Sequence, residues 1–153
     1  MTKQVISLVG GAAGAPIMSE RLAAAGGILP GHLVQEASGN VQVHGTAAAN
    51  AQRLFAQPDL AIAGDIDTAY ANGATVSYGA YHTGQEVNAL VAASATAILD
   101  GAALESAGDG TVRTATADAA TDTTQRDSIV GYAMEAVDNS GGGTAVRIKI
   151  RVA

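Results

Sequence analysis

The sequence predicts a mostly β fold, a small β-barrel or β-sandwich with an extended N-terminal arm and little helix. Short runs of alternating apolar and polar residues recur along the chain, and glycine, asparagine or aspartate turns close most of them. No strand–helix–strand rhythm appears, which argues against a parallel sheet. The length of 153 residues suits one domain. We therefore divide the chain into an arm, residues 1–30, and a β-rich domain, residues 31–153.

The predicted arm is rich in glycine and alanine. Its segment MSERLAAAG, residues 18–26, favours one or two helical turns, with Ser19 as N-cap and Gly26–Gly27 as the end. This segment has no strong apolar face. We therefore expect an extended arm with a short helix that becomes ordered on a partner.

Four predicted strands follow the arm, and the last two alternate apolar and polar side chains. They are HLVQEA (32–37), VQVHG (41–45), TVSYGAYHTG (75–84) and EVNALVAAS (86–94). The tripeptide SGN between the first two predicts a tight hairpin, and Thr83–Gly84 predicts a turn between the last two. The run TAAANAQRLFA, residues 46–56, stays open between helix and strand, because alanine favours helix while its surroundings favour a sheet.

The C-terminal third contains the clearest strand of the chain. In TAVRIKIRVA one face would hold Val146, Ile148, Ile150 and Val152, and the other Arg147, Lys149 and Arg151. Before it, AALES and TVRTAT flank the tight sequence AGDGT, and SIVGYAMEAVD (128–138) forms a further run. The low-complexity segment 115–127 predicts a long exposed loop.

The acid in LESAGDGTVRT is the most prominent candidate for a reactive group. Asp109 lies between two glycines, and an Asp-Gly pair supplies the positive φ angles that a hairpin turn requires. Catalysis by a carboxylate normally needs a second titratable partner, and the neighbouring residues include neither histidine nor a suitably spaced acid. We interpret Asp109 as a turn residue.

Other candidate chemistry is weak. Asp65 and Asp67 have the spacing that begins a calcium loop, but an EF-hand also needs an acid at Ala69 and a later glutamate. The histidines, at positions 32, 44 and 82, show no metal-ligand spacing. The sequence VGGAAGAP (9–16) fails as a dinucleotide fingerprint, since Val9 replaces the first glycine. We therefore expect no catalytic residue, no metal and no cofactor.

Composition excludes further classes. The formal net charge is −6, which disfavours a nucleic-acid binder. No window approaches the roughly 18 apolar residues of a membrane span. The chain has no cysteine, which fits synthesis in a reducing cytoplasm. With one Phe and no Trp the core is thin, so self-association would supplement it.

Three segments carry a family resemblance: PGHLV (30–34), GAALESAGDGTV (101–112) and IVGYAMEAVD (129–138). Their order, from about Gly27 to the C-terminus, resembles that of the head decoration, or capsid cement, proteins of tailed bacteriophages. The resemblance implies a β-rich domain, made in the bacterial host cytoplasm, that binds the major capsid protein on the outer surface of the virion. It further implies a homotrimer that stabilises the shell and has no catalytic residues.

On this reading, residues of the arm and the basic face of the last strand form the capsid or subunit interface. We predict that the interface contains Ile6, Leu8, Ile17, Met18, Arg21, Leu22, Arg147, Lys149 and Arg151. A solvated or acid-paired strand face is the alternative for the last three. Three alternative functions remain: another virion domain associated with tail or fibre, a carbohydrate-binding module using Tyr70, Tyr78, Tyr81 and Tyr132, and a hydrolase using Asp65, Asp67, Asp109 and a histidine.

Overall fold

The residues that the structure describes form ten β-strands in two sheets. The structure is a computed structural model, and it describes residues 14–59, 65–116 and 128–153. Within these ranges the regular secondary structure is almost entirely β-strand, which confirms the mostly β prediction. No described helix therefore has the length and apolar character to cross a membrane. The predicted loop at 115–127 lies almost entirely outside the described residues.

The first sheet contains the N-terminal half of the strands. They are β1 (Ile17–Leu22), β2 (Leu33–Ala37), β3 (Asn40–Val43), β4 (Leu54–Ala56) and β5 (Thr75–Ala80), in the spatial order β1-β5-β4-β2-β3. The predicted β2–β3 hairpin is confirmed. Ser38 and Gly39 have φ angles of 51° and 82°, so both central turn residues adopt the positive φ of a type I′ turn.

The segment predicted as a short helix is a strand. All six residues of β1 pair antiparallel with β5, from Ile17 opposite Ala80 to Leu22 opposite Thr75. The helical prediction for residues 18–26 is therefore wrong. It rested on local propensity and a capping residue, and long-range pairing with a strand more than fifty residues away outweighs both.

The ambiguous run 46–56 contains one short strand. Its last three residues form β4, in which every side chain is buried, between β2 and β5. The residues before β4 form irregular structure, with Ala48 at a φ of 55°. The central position in the sheet explains why an alanine-rich sequence ends in a strand.

The second sheet contains the C-terminal strands. They are β6 (Glu86–Val91), β7 (Ala103–Ser106), β8 (Val112–Thr114), β9 (Ile129–Ala133) and β10 (Val146–Val152), in the order β6-β10-β9-β7-β8. Ile148, Ile150 and Val152 are buried, which confirms the apolar face predicted for β10. The turn at Thr83–Gly84 is also present, with Gln85 N–H donating to His82 O at 3.1 Å. It carries the chain from the first sheet to the second.

The two sheets share the larger of two apolar cores, in a sandwich-like arrangement. Leu33, Phe55 and Tyr81 from the first sheet and its flank pack with the inner face of the second sheet. The rings of Phe55 and Tyr81 meet edge to face, with centroids 5.6 Å apart. A second core, around Val34, Ile28 and Tyr78, lies on the other face of the first sheet. The first sheet is therefore covered on both faces near its centre.

Candidate interaction surfaces

The loop containing Asp109 joins the two sheets. The Oδ1 atom of Asp109 accepts a hydrogen bond from Thr111 N–H at 2.9 Å and another from the Thr111 hydroxyl, which closes the turn locally. The next residue, Gly110, forms backbone hydrogen bonds with the first sheet and its flank. Leu33 N–H donates to Gly110 O at 2.7 Å, and Gly110 N–H donates to His44 O at 3.2 Å. Asp109 is a turn residue, as predicted, and its hydrogen bonds account for it without a substrate.

Two of the three histidines are buried and have structural partners. His32 is 8 % exposed, and its Nδ1 accepts a hydrogen bond from Leu29 N–H at 3.0 Å. Burial is the main cause that lowers the pKa of His32 to about 4; the charge of Asp109 opposes it and that of Arg147 adds to it, and the ring is neutral near pH 7. His44 Nδ1 lies 2.8 Å from Ser106 Oγ. Both rings serve the junction between the sheets.

The acids proposed for a hydrolase do not converge. Asp67 forms an ion pair with Arg147 at 2.7 Å. Asp65 lines a pocket of about 240 Å³ with Asp59 and Tyr70, but its described lining includes neither Asp109 nor a histidine. No group of three or more His, Asp or Glu side chains able to hold a metal ion occurs in the ranges that the structure describes.

Three of the four tyrosines are core residues with bonded hydroxyls. Tyr70 donates to Gln57 O at 2.7 Å, Tyr78 donates to Glu36 Oε1 at 2.6 Å, and Tyr81 accepts from the Gln57 side chain at 2.8 Å. Their rings therefore offer no flat face for a sugar. Tyr132, on the outer face of β9, is 46 % exposed.

Both arginines on the basic face of β10 pair with acids of their own chain. Arg147 contacts Asp67 and also donates to the carbonyl oxygens of Ile66 and Pro30, so that it ties two loops to β10. Arg151 pairs with Glu86 at 3.4 Å and is exposed. The backbone N–H of Lys149 donates to Glu135 Oε1 at 2.6 Å. Charge reversal at Arg147 would therefore perturb the fold as well as any interface.

Strand β1 brings together the predicted apolar interface residues that the structure describes. Ile17, Met18 and Leu22 are 60 %, 52 % and 53 % exposed, and we call them the β1 patch. Ile6 and Leu8 lie outside the described residues. Side chains alternate between the two faces of a strand, so Met18 and Leu22 share one face and Ile17 lies on the other.

Arg21, also predicted at the interface, is held within the chain. Its guanidinium donates to Tyr78 Oη at 3.1 Å and Gly39 O at 3.3 Å, and pairs with Glu36 at 3.1 Å. Hydrogen bonds from Tyr78 and Arg21 lower the pKa of the Glu36 carboxyl. This network fastens β1 to the β2–β3 hairpin.

A second apolar surface was not predicted. Leu99 is 71 % exposed, in the turn that Ala102 N–H closes by donating to Leu99 O at 3.1 Å. The same turn is bonded to β9, since Gly101 N–H donates to Ala133 O at 2.9 Å. We call Leu99 and Tyr132 the β9 patch. The available sequence signal was a leucine directly before an Asp-Gly turn, where a polar residue is usual.

Comparisons with known proteins give a fold relationship. No family model and no curated protein matches the chain. Among solved structures, the N base of the head fibre gp8.5 of bacteriophage phi29 matches with a TM-score of 0.55 at 13% sequence identity. The match covers 91% of this chain and 95% of that one. The fold is shared. At this identity the likeness extends to the arrangement of strands and not to individual residues.

Proposed function

We propose that this chain is a structural virion protein that binds the outer surface of a phage head and stabilises the shell. The fold likeness to a head-fibre base, along nearly the whole of both chains, is the observation that carries the proposal. The decoration-protein resemblance of three ordered segments supports it independently. The partner is the major capsid protein, and the chain acts by binding rather than by catalysis.

The distribution of side chains supports this role. The candidate reactive groups Asp67, Asp109, His32 and His44 all serve turns or contacts between loops and sheets. Two separate apolar patches, on β1 and beside β9, lie on the surface of a chain whose net charge of −6 favours solubility before assembly. Two patches suit a protein that contacts both its own copies and a shell.

Multivalency explains how a small domain can bind a shell tightly. Each copy can bury only a modest area, but a homotrimer presents several contacts at once, and each contact raises the effective concentration for the next. An arm of small residues loses much backbone entropy when it is ordered, and contacts with several capsid subunits are needed to offset this cost. Neighbouring subunits supply such contacts together on the expanded lattice, so we expect the strongest binding there.

Binding to two forms of the capsid protein tests the proposal. The purified chain is mixed with expanded, empty shells of the phage that encodes it and, separately, with unassembled capsid protein. We expect the affinity measured for the shells to be at least tenfold higher than that for the unassembled capsid protein, with sedimentation used to separate the shell-bound chain. Equal affinity for both forms, or no affinity for shells, would contradict the proposal.

Attachment to a fibre is the alternative that one observation favours. The matched structure is itself the base of a head fibre. A fibre base would also sit on the head, but it would connect to a second, elongated protein. The two functions differ in copy number and location on the particle.

A further inference from the structure

The two sheets have the same topology. Adding five to each strand number converts the order of the first sheet, β1-β5-β4-β2-β3, into the order of the second, β6-β10-β9-β7-β8. Strands that are neighbours in this order pair antiparallel in both sheets. The described strands therefore form two equivalent halves, one with β1–β5 and the other with β6–β10, as in an internal repeat.

A four-residue turn occupies the same place in each half. Its sequence is ILPG (28–31) before β2 and ILDG (98–101) before β7, and we call the two segments the ILPG turn and the ILDG turn. In each turn the isoleucine forms an isolated antiparallel bridge. The glycine N–H donates over 2.9 Å to the last alanine of the equivalent strand, Ala56 in β4 and Ala133 in β9. The two turns are therefore held in the same way.

The strand registers make Leu22 of β1 the equivalent of Leu90 of β6. In each half, the residue opposite the leucine lies three positions before the residue opposite the alanine that accepts the bond from the turn. The pairs are Ala56–Tyr78 and Leu22–Thr75 in the first half, and Ala133–Ile150 and Leu90–Arg147 in the second. Glu20, two residues before Leu22, then corresponds to Asn88.

Within the chain, the ILPG turn covers Leu90. Leu90 N–H donates to Gly31 O at 3.0 Å, and a Cβ atom built on Gly31 would lie 3.4 Å from Leu90 Cγ. Arg147 donates to Pro30 O at 3.1 Å and so holds the turn against β6 and β10. Leu90, Pro30 and Gly31 are all buried in this contact. The turn of the first half thus packs on the outer face of the second.

The equivalent turn and the equivalent leucine are both exposed. Leu99 and Asp100 of the ILDG turn are exposed, whereas Pro30 of the ILPG turn is buried. Leu22 is half exposed, on a face of β1 that it shares with Met18 and Glu20; we call this the outer face of β1. The contact within the chain therefore uses one turn and one face and leaves one of each uncovered.

A second copy is the occupant that fits both. The two halves share one apolar core, which fixes them relative to each other. In that arrangement Leu99 and Leu22 both remain exposed, so the ILDG turn does not cover the outer face of β1 in its own chain. Only the turn of another copy has the sequence and the conformation of the turn that covers the equivalent face.

We propose that the ILDG turn of one copy packs on the outer face of β1 in a second copy, with Leu99 against Leu22. The contact repeats between chains what the ILPG turn does within one, and it is head-to-tail because each copy offers one turn and one face. Ala24 N–H donates to Val41 O beside this face, so the first half is closed there and the contact is made by side chains rather than by a strand edge.

The proposal extends the self-association expected under the proposed function. Leu99 belongs to the β9 patch, and self-association also raises the affinity for shells through multivalency. The tests therefore use the purified chain without shells, so that a failure here leaves the binding of single copies to the capsid to be judged separately.

Removal of either leucine is the first test. Light scattering after gel filtration should show the wild-type chain as a multiple of its 15.1 kDa mass. Leu22→Ser and Leu99→Ser should each weaken association at least tenfold, because each removes an apolar side chain from the contact. Ile17→Ser is the matched control, since Ile17 is similarly exposed but lies on the opposite face of β1, and it should change nothing. A monomeric wild type, or an equal loss in Ile17→Ser, would overturn the proposal.

A substitution in the ILDG turn is the second test. Asp100→Pro gives this turn the sequence of the turn that packs within the chain, and it removes an acid from a contact that also contains Glu20. Association should strengthen at least threefold. Asp138→Asn, at an exposed acid on another loop, should change nothing. Weaker association of Asp100→Pro, with stability in urea like that of the wild type, would contradict the equivalence of the two turns.

Crosslinking between differently tagged copies identifies the two surfaces. The chain has no cysteine, so single substitutions introduce defined sites. One copy carries Asp100→Cys and a large tag, and the other carries Leu22→Cys and a small tag. A short bismaleimide crosslinker should join the two tags after the copies are mixed. Thr83→Cys, in the exposed turn between the halves, replaces Leu22→Cys in the control and should give no mixed product. No mixed product with Leu22→Cys, or as much with Thr83→Cys, would overturn the proposal.

Discussion

The carbonyl oxygen of Gly110 accepts a hydrogen bond from Leu33 N–H at 2.7 Å and so connects the β7–β8 turn to β2. Gly110 has a φ of +83°, and a Cβ atom built on it would lie 2.9 Å from the Val43 Cβ atom. The two sheets can approach this closely only because the turn residue has no side chain. The Asp-Gly pair shapes both the hairpin and the contact between the sheets.

Replacing this glycine should weaken the whole fold. We expect Gly110→Ala to lower the free energy of unfolding by about 2 kcal/mol or more, since it combines an unfavourable positive φ with steric overlap. Urea denaturation measures the change. Gly45→Ala is the control, because no atom lies within 4 Å of the added methyl group. Equal effects of the two substitutions would contradict this account of the turn.

Local sequence predicted the elements whose stability is local. The Ser38–Gly39 turn and the alternation of β10 are visible in a few consecutive residues, and both were found. The strand β1 was not predicted, because its conformation depends on β5. The role of the Thr83–Gly84 turn was also not predictable from local sequence. Its residues are typical of a hairpin turn, but it joins β5 of the first sheet to β6 of the second.

Among the candidate interface residues, local sequence again indicated the position of some but not the role of others. The sequence of residues 18–26 has no strong apolar face, and the structure leaves Ile17, Met18 and Leu22 exposed on β1. The role of Arg147 could not be predicted, because its partner Asp67 lies 80 residues away. Sequence showed that β10 has a cationic face, but not that Asp67 and Glu86 pair with its two arginines.

Two arginines on the same face of β10 should differ sharply. The Arg147 side chain is 9% exposed and holds two loops, so Arg147→Ala should lower the free energy of unfolding by about 3 kcal/mol and leave buried carbonyl oxygens unpaired. Arg151→Ala removes an exposed pair and should cost less than about 1 kcal/mol. Thermal and urea unfolding compare them. Similar costs for both would show that Arg147 does not anchor the loops.

His32 should make stability depend on pH. The unfolded chain binds a proton on this ring near pH 6.5, and the folded chain binds it only near pH 4, because burial lowers the pKa. Its contribution, about 3 kcal/mol, is present above pH 6.5 and is lost as the pH falls toward 4. His32→Asn keeps an acceptor for Leu29 N–H but cannot titrate.

Urea unfolding at pH 7.5 and pH 4.5 measures the contribution of His32 to the free energy of unfolding. The loss of stability on acidification should be smaller in His32→Asn than in the wild type, by roughly 2–3 kcal/mol. His82→Asn, at an exposed histidine, should behave as the wild type. The assignment to His32 fails if both variants lose as much stability as the wild type.

The β9 patch should contribute to binding shells. Leu99→Ser combined with Tyr132→Ser removes two exposed apolar side chains, and we expect the affinity for expanded shells to fall at least tenfold with no loss of fold stability. Ala97→Ser, at an exposed position on the Leu99 loop, is the control. Unchanged shell binding by the double variant would exclude this surface from the contact.

Cryo-electron microscopy of purified phage heads, with and without this chain, tests the central claim most directly. The account predicts added density on the outer surface of the head, in several symmetry-related copies, that fits two packed five-stranded sheets. Density on the tail, density continuous with a long fibre, or identical maps from the two preparations would contradict it.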